Sequence, residues 1–271
     1  MKIFNQPSRT SAIAKELAAI QKKEIQLQRA AENARPATWK SELEKKIPQK
    51  VYVGLESAFS KGFSLVFQQG TVIIEKSYSK EDIKADHAIR DYAVQVRGSK
   101  KELRMVHKGA KHADFLNMAV TTVEGIGLGI MGIGIPDIVL FLGLLLKGVY
   151  ETALCYGFDY ESRQEQLFIL KMLETALTAG PDWMAKNRDI DQMLIYETVD
   201  ITDDIFADQL QKTASVFAMD MLLLKFIQGL PVVGMIGGAA NPLYYSKIMK
   251  YVGLKYHKRY LMNQLHKESG F

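Results

Sequence analysis

Three carboxylates stand where carboxylates are rare: Glu124, Asp137 and Glu151 fall in or beside the most apolar stretch of this 271-residue chain. Desolvation disfavours the charged form of such a group, which suits a hydrolase using Glu124 and Asp137 as general acid and base. Spacing limits that chemistry. Asp137 and Glu151 are fourteen residues apart, about 21 Å along one helix, so they share a face but not a site. Glu124 meets Asp137 only if the glycine segment between them folds back. A structural role is the alternative. Lys147 precedes Glu151 by four residues and can pair with it on a helix face. Arg259 and Asn241 are the polar residues that the C-terminal helices offer to a buried acid.

The other reactive side chains add little. His107 and His112 are five apart, about 140° around a helix, and His87, His257 and His266 have no partner at metal-ligand spacing. No metal and no cofactor is expected. Cys155 is the single cysteine, which excludes a disulfide framework and a cysteine-based zinc cluster. Between Leu154 and Tyr156 it reads as a small buried apolar residue rather than a nucleophile. The run from Gly127 to Gly132 matches the G-x-G-x-x-G fingerprint of dinucleotide sites. Gly134 and Pro136 follow almost at once, however, and no alternating strand series exists to build the sheet that this motif needs.

The elements that must position these residues are helical. Ile13, Leu17, Ile20, Ile25 and Leu27 recur roughly every three to four residues before the Arg35-Pro36 break, giving a first amphipathic helix. Val51, Leu55, Phe59, Phe63 and Phe67 repeat at spacing four after Pro48. Ser79 and Ser99, each with an acid three residues on, read as capping boxes. Further helices are expected over Pro136 to Tyr156, Ser162 to Ala179, Asp204 to Gly229 and Pro242 to Leu265. Only Thr71 to Ile74 and Val120 to Val123 look strand-like.

Gly125 to Leu146 runs for 22 residues with six glycines and one charge, Asp137. That length could cross a bilayer. Pro136-Asp137 reads better as a helix start, since proline in the first turn loses no bond and an acid there faces the positive end of the dipole. The second apolar stretch, Val216 to Ala240, is interrupted by Asp220, Lys225 and Pro231. Gly125 and Gly129, like Gly234 and Gly238, are four apart, a spacing that lets helix backbones approach closely. The expected fold is an all-α, multi-helix bundle with two glycine-rich apolar helical hairpins packed in its core. An amphipathic helical extension over residues 1–40 precedes a helical domain over 41–271.

Charge is patterned more sharply than the net +5 suggests. Arg97, Lys100, Lys101, Arg104 and Lys108 form one basic group suited to an anionic membrane surface. Lys247, Lys250, Lys255, Lys258 and Arg259 form another. Eight acids collect between Asp182 and Asp208. The basic groups lack interleaved aromatics and a recognition motif, so nucleic acid is not an expected partner. Met1 to Lys50 contains no apolar core of a signal peptide, and a cytoplasmic location is expected.

Several motifs in order resemble the EcsC protein family: Glu124-Gly125, Ile135-Pro136-Asp137-Ile138, Glu151 through Ala153–Asp159, Leu230–Asn241, and Tyr256-His257-Lys258-Arg259-Tyr260-Leu261. The resemblance covers about Ser41 to the C-terminus. It implies a bacterial helical domain, related to a protein encoded beside an ABC transporter linked to peptide export and secretion. Protease-like chemistry is not supported, because neither G-x-S-x-G nor H-E-x-x-H occurs. The expected role is a peripheral accessory protein at the inner face of the cell membrane, with an anionic membrane surface or a membrane transporter as partner. A lipid or small hydrophobic ligand binding protein is the further alternative.

Overall fold

The computed structural model describes residues 9–33, 45, 47–70, 74–110, 135–195, 200–227 and 240–269, and every regular element among them is helical. In chain order these are α1 (Arg9–Asn33), α2 (Gln49–Leu65, widening into a π turn over Val66–Gly70), α3 (Lys80–Arg97) and α4 (residues 100–110). There follow α5 (Ile135–Cys155), α6 (Arg163–Leu177), α7 (Asp182–Met193), α8 (Asp203–Ile227) and α9 (Ala240–Ser269). The protein is an all-α bundle. Of the two strand-like segments, Ile74 begins a helical turn, while residues 71–73 and 120–123 lie outside the described residues.

The helix boundaries follow local chemistry. Asp82 N–H donates to Ser79 Oγ at 3.2 Å and Glu165 N–H to Ser162 Oγ at 3.1 Å, meeting donors that a helix start leaves open. Gly98 turns α3 into α4 at φ 57°, the left-handed region, and its N–H donates to Val94 C=O at 2.8 Å.

Helix α5 sits against α2, α3 and α9, and α6 lies between α8, α9 and α7. The spacing-four phenylalanines of α2 explain one joint: Phe59 and Phe63 bring their rings to 5.4 and 5.2 Å from Phe217 of α8. Among the described helices, α5 is the one long and apolar enough to cross a membrane, yet 72% of its Ile138–Cys155 stretch is buried inside the bundle. Core packing therefore accounts for that apolar composition. Where α5 meets α9, a Cβ on Gly148 would overlap the Tyr245 hydroxyl, so only glycine permits the approach. Gly125, Gly129, Gly234 and Gly238, the glycines of the expected hairpins, lie outside the described residues.

Helix α1 packs along α9 and touches α7. Ala12, Ile13 and Ile20 are fully covered. At its far end Gly180 N–H donates to Ala31 C=O at 2.9 Å, tying α1 to the α6–α7 turn.

Candidate functional site

Glu124 lies outside the described residues. Asp137 and Asn241 fall in the first turns of α5 and α9, and their side chains are likewise outside the described set. The hydrolase reading, which rests on Glu124 and Asp137, gains no geometry from the described residues. Glu151 is buried, with Lys147 Nζ 3.8 Å from its Oε1. Arg259 Nη1 lies 2.6 Å from Glu165 Oε2.

Glu165 is an acid that sequence reasoning passed over. It is 5% exposed, lies in the first turn of α6, accepts the Tyr256 hydroxyl at 2.7 Å and pairs with Arg259. The Arg259 guanidinium also lies 4.2 Å from the Phe158 ring centre and 5.0 Å from that of Phe168. Replacing Glu165→Gln keeps the shape and deletes the charge, leaving Arg259 without its counter-ion. We expect a loss of roughly 2–3 kcal/mol of stability, read from urea unfolding midpoints. An unchanged midpoint would show that this pair is not structural.

The C-terminal basic group divides: Lys247 and Lys250 are exposed, whereas Lys255, Lys258 and Arg259 are paired inside the bundle. Lys255 is wholly buried, with Nζ 2.5 Å from Glu24 Oε1 and 2.7 Å from Asp191 Oδ1. Lys258 Nζ meets the same two carboxylates at 3.0 and 2.9 Å. Two lysines and two acids thus join α1, α7 and α9. A run of Lys and Arg on a terminal helix carries no sequence mark that says its partners arrive from elsewhere in the fold.

The other basic group behaves differently. It spans the tip of α3 and the whole of α4, which form an antiparallel hairpin on the bundle surface. Lys100 Nζ and Arg104 Nε each lie 3.4 Å from Glu16 Oε1, and Arg97 Nη1 lies 4.0 Å from Glu102 Oε1. Lys101 and Lys108 face outward. Beside them, Ala85, Ile89, Tyr92 and Val96 recur at spacings of four, three and four, which sets them on one face of α3. That face is turned to solvent: Ile89 is 69% exposed, Tyr92 69% and Val96 62%, with Met105 of α4 at 45%. The hairpin therefore exposes apolar side chains from α3 and α4 together with lysines from α4.

Beneath α9 lies a cavity of about 400 Å³, between α1, α4, α5 and α9. Its floor is built from Thr152 and Tyr156 of α5 and the turn after it, with Met249 and Leu254 of α9. His107 of α4 forms part of the wall, and its Nδ1 is 2.6 Å from the Tyr156 hydroxyl. The His107 ring stacks on His257 with centroids 4.3 Å apart and planes 13° from parallel. Sequence reasoning missed this pair. One hundred and fifty residues separate the two, and neither has a neighbour at recognisable spacing. Burial pushes the Tyr156 hydroxyl well above its ordinary range, so it remains a protonated donor at neutral pH. The Cys155 thiol beside it is pushed up to about 11 by burial, which keeps it from acting as a thiolate. No group of three or more metal-ligating side chains occurs among the described residues. A second hollow, near Glu174, is closed on itself: Lys186 Nζ and Gln209 Nε2 already meet that carboxylate at 2.5 and 2.6 Å.

Fold and sites together define a helical-bundle protein whose last helix roofs a mixed polar and apolar cavity. The chain belongs to the EcsC protein family, whose model matches residues 11–261. It is also similar to a Bacillus subtilis (strain 168) protein described as "Uncharacterized protein YdbA", at 33% identity over 150 residues. That match covers 53% of this chain and 54% of the relative, so the chain spans about half the length of the relative it matches. No solved structure matches the chain.

Proposed function

We propose that this EcsC-family protein is a peripheral accessory protein that docks on the anionic cytoplasmic face of the cell membrane, in support of transporter-linked export. The observation that carries the docking is the outer face of the α3–α4 hairpin. Ile89, Tyr92, Val96 and Met105 supply apolar and aromatic surface, and Lys101 and Lys108 supply charge beside it. This is the composition of a helix that lies in the headgroup region rather than crossing the bilayer. The link to an ABC transporter and to secretion comes from the family resemblance alone.

Flotation with liposomes tests the docking. The protein should rise with vesicles rich in phosphatidylserine at low salt and should stay behind with neutral ones. Changing Lys101→Gln and Lys108→Gln together should lower partitioning by roughly 30-fold, at about 1 kcal/mol per basic residue near the surface. Tyr92→Asp with Val96→Asp should abolish it while leaving the unfolding midpoint unchanged, because both side chains are exposed. A protein that ignores anionic vesicles overturns the proposal.

A further inference from the structure

The cavity beneath α9 is built as a ligand site. Among its lining residues is Thr152, which is 2% exposed and whose Oγ1 is covered and has no hydrogen-bond partner among the described residues. A threonine in a helix ordinarily satisfies its hydroxyl on the carbonyl one turn back. Thr152 does not, and a buried hydroxyl left so is stabilised by whatever brings it an acceptor or donor. Thr152 of α5 and Tyr156, in the turn just past its end, both line the cavity. Leu27, Met249 and Leu254 supply its apolar lining, with His107 and Gln26 also in the wall. At the mouth stand Lys23 of α1 and Lys250 of α9, both exposed. A volume of about 400 Å³ falls in the range of small-molecule sites.

From cation rim, apolar walls and polar floor, we infer that the cavity binds a small organic anion with an aliphatic body and a hydrogen-bonding group at its far end. Its carboxylate stays in water beside Lys23 and Lys250. Its chain passes Leu27 and Met249, and its distal oxygen meets Thr152. The inference is independent of membrane docking, since the cavity lies on the α1–α9 side and uses none of the α3–α4 outer face.

Calorimetric titration of the full chain, without vesicles, provides the test with three probes below their micellar concentrations: decanoate, ω-hydroxydecanoate and decyltrimethylammonium. Both anions should bind, and the cation should not. The ω-hydroxy acid should bind about tenfold more tightly, the gain from one buried hydrogen bond that the fold itself leaves unmade. Thr152→Val has the same shape without the hydroxyl. It should keep or raise the melting temperature, retain decanoate binding and erase the tenfold preference. Lys23→Glu with Lys250→Glu, both surface changes, should abolish binding of either anion without altering the fold. Absence of binding by both anions, equal binding of the cation, or a hydroxyl preference that survives in Thr152→Val overturns the assignment. Because no bilayer is present, such a failure leaves the flotation result standing.

Discussion

Deleting residues 1–33 is expected to unfold the protein rather than trim it. Two isoleucines of α1, Ile13 and Ile20, are fully buried against the bundle, with Ala12 and Ala31 beside them. Each such isoleucine contributes about 1.5–3 kcal/mol by leaving water. The same deletion strips Glu24 from Lys255, an ammonium with no exposure at all, leaving it to share Asp191 with Lys258. A buried charge that loses a partner costs several kcal/mol more. The combined loss, beyond about 5 kcal/mol, matches the whole stability of an ordinary domain. Far-ultraviolet circular dichroism and size exclusion of the 34–271 chain give the readout. A compact truncated chain with an unchanged urea midpoint would establish the N-terminal segment as a dispensable extension.

Alkaline pH is expected to destabilise the fold steeply, from about pH 10 upward. Burial raises the hydroxyls of Tyr156, Tyr251 and Tyr256 well above their ordinary range, and it lifts Tyr78 to about 12. Tyr160 and Tyr260 move in the same direction for the same reason. Once the pH exceeds the unfolded value near 10, the unfolded chain sheds these protons while the folded chain holds them. The unfolded state then binds fewer protons, so stability falls as pH rises. Each fully buried tyrosine contributes about 1.4 kcal/mol per pH unit to that fall, until its folded-state value is reached. Below about pH 10 the same tyrosines stay protonated in both states and contribute no pH dependence. Urea midpoints across the alkaline range, followed with tyrosinate absorbance, provide the check. Tyrosinate signal rising before helicity is lost would show that the rings titrate inside the fold and would overturn the account.

The helical class and most helix starts were legible because they are local. A serine with an acid three residues later suffices to begin a helix, and Ser79 and Ser162 do so here. The apolar stretch after Pro136 was readable as core because its proline and acid suit a helix start and not a span. The polar interior was not legible, since its partners come from opposite ends of the chain. His107 meets His257, Glu165 meets Arg259, and Lys255 meets Glu24. In sequence, Lys255, Lys258 and Arg259 have the composition of a solvated helix face, and only tertiary packing shows their charges to be compensated inside the bundle. The exposed stripe of α3 escaped for the converse reason. Ala85, Ile89, Tyr92 and Val96 keep the period of a buried face, and periodicity does not reveal which direction a face points.

The pairing of α1 with α9 joins the two ends of the described chain. Thr10 donates to Glu268 across 258 positions, and Arg9 sits 3.2 Å from the same carboxylate. Such contacts cannot form on the ribosome until α9 has emerged from it. During synthesis α1 must therefore wait, with Ile13 and Ile20 uncovered, until α9 has been made. Refolding from denaturant should for this reason be limited by closure of the long α1–α9 loop, and nascent chains stalled before α9 should be clients of a chaperone.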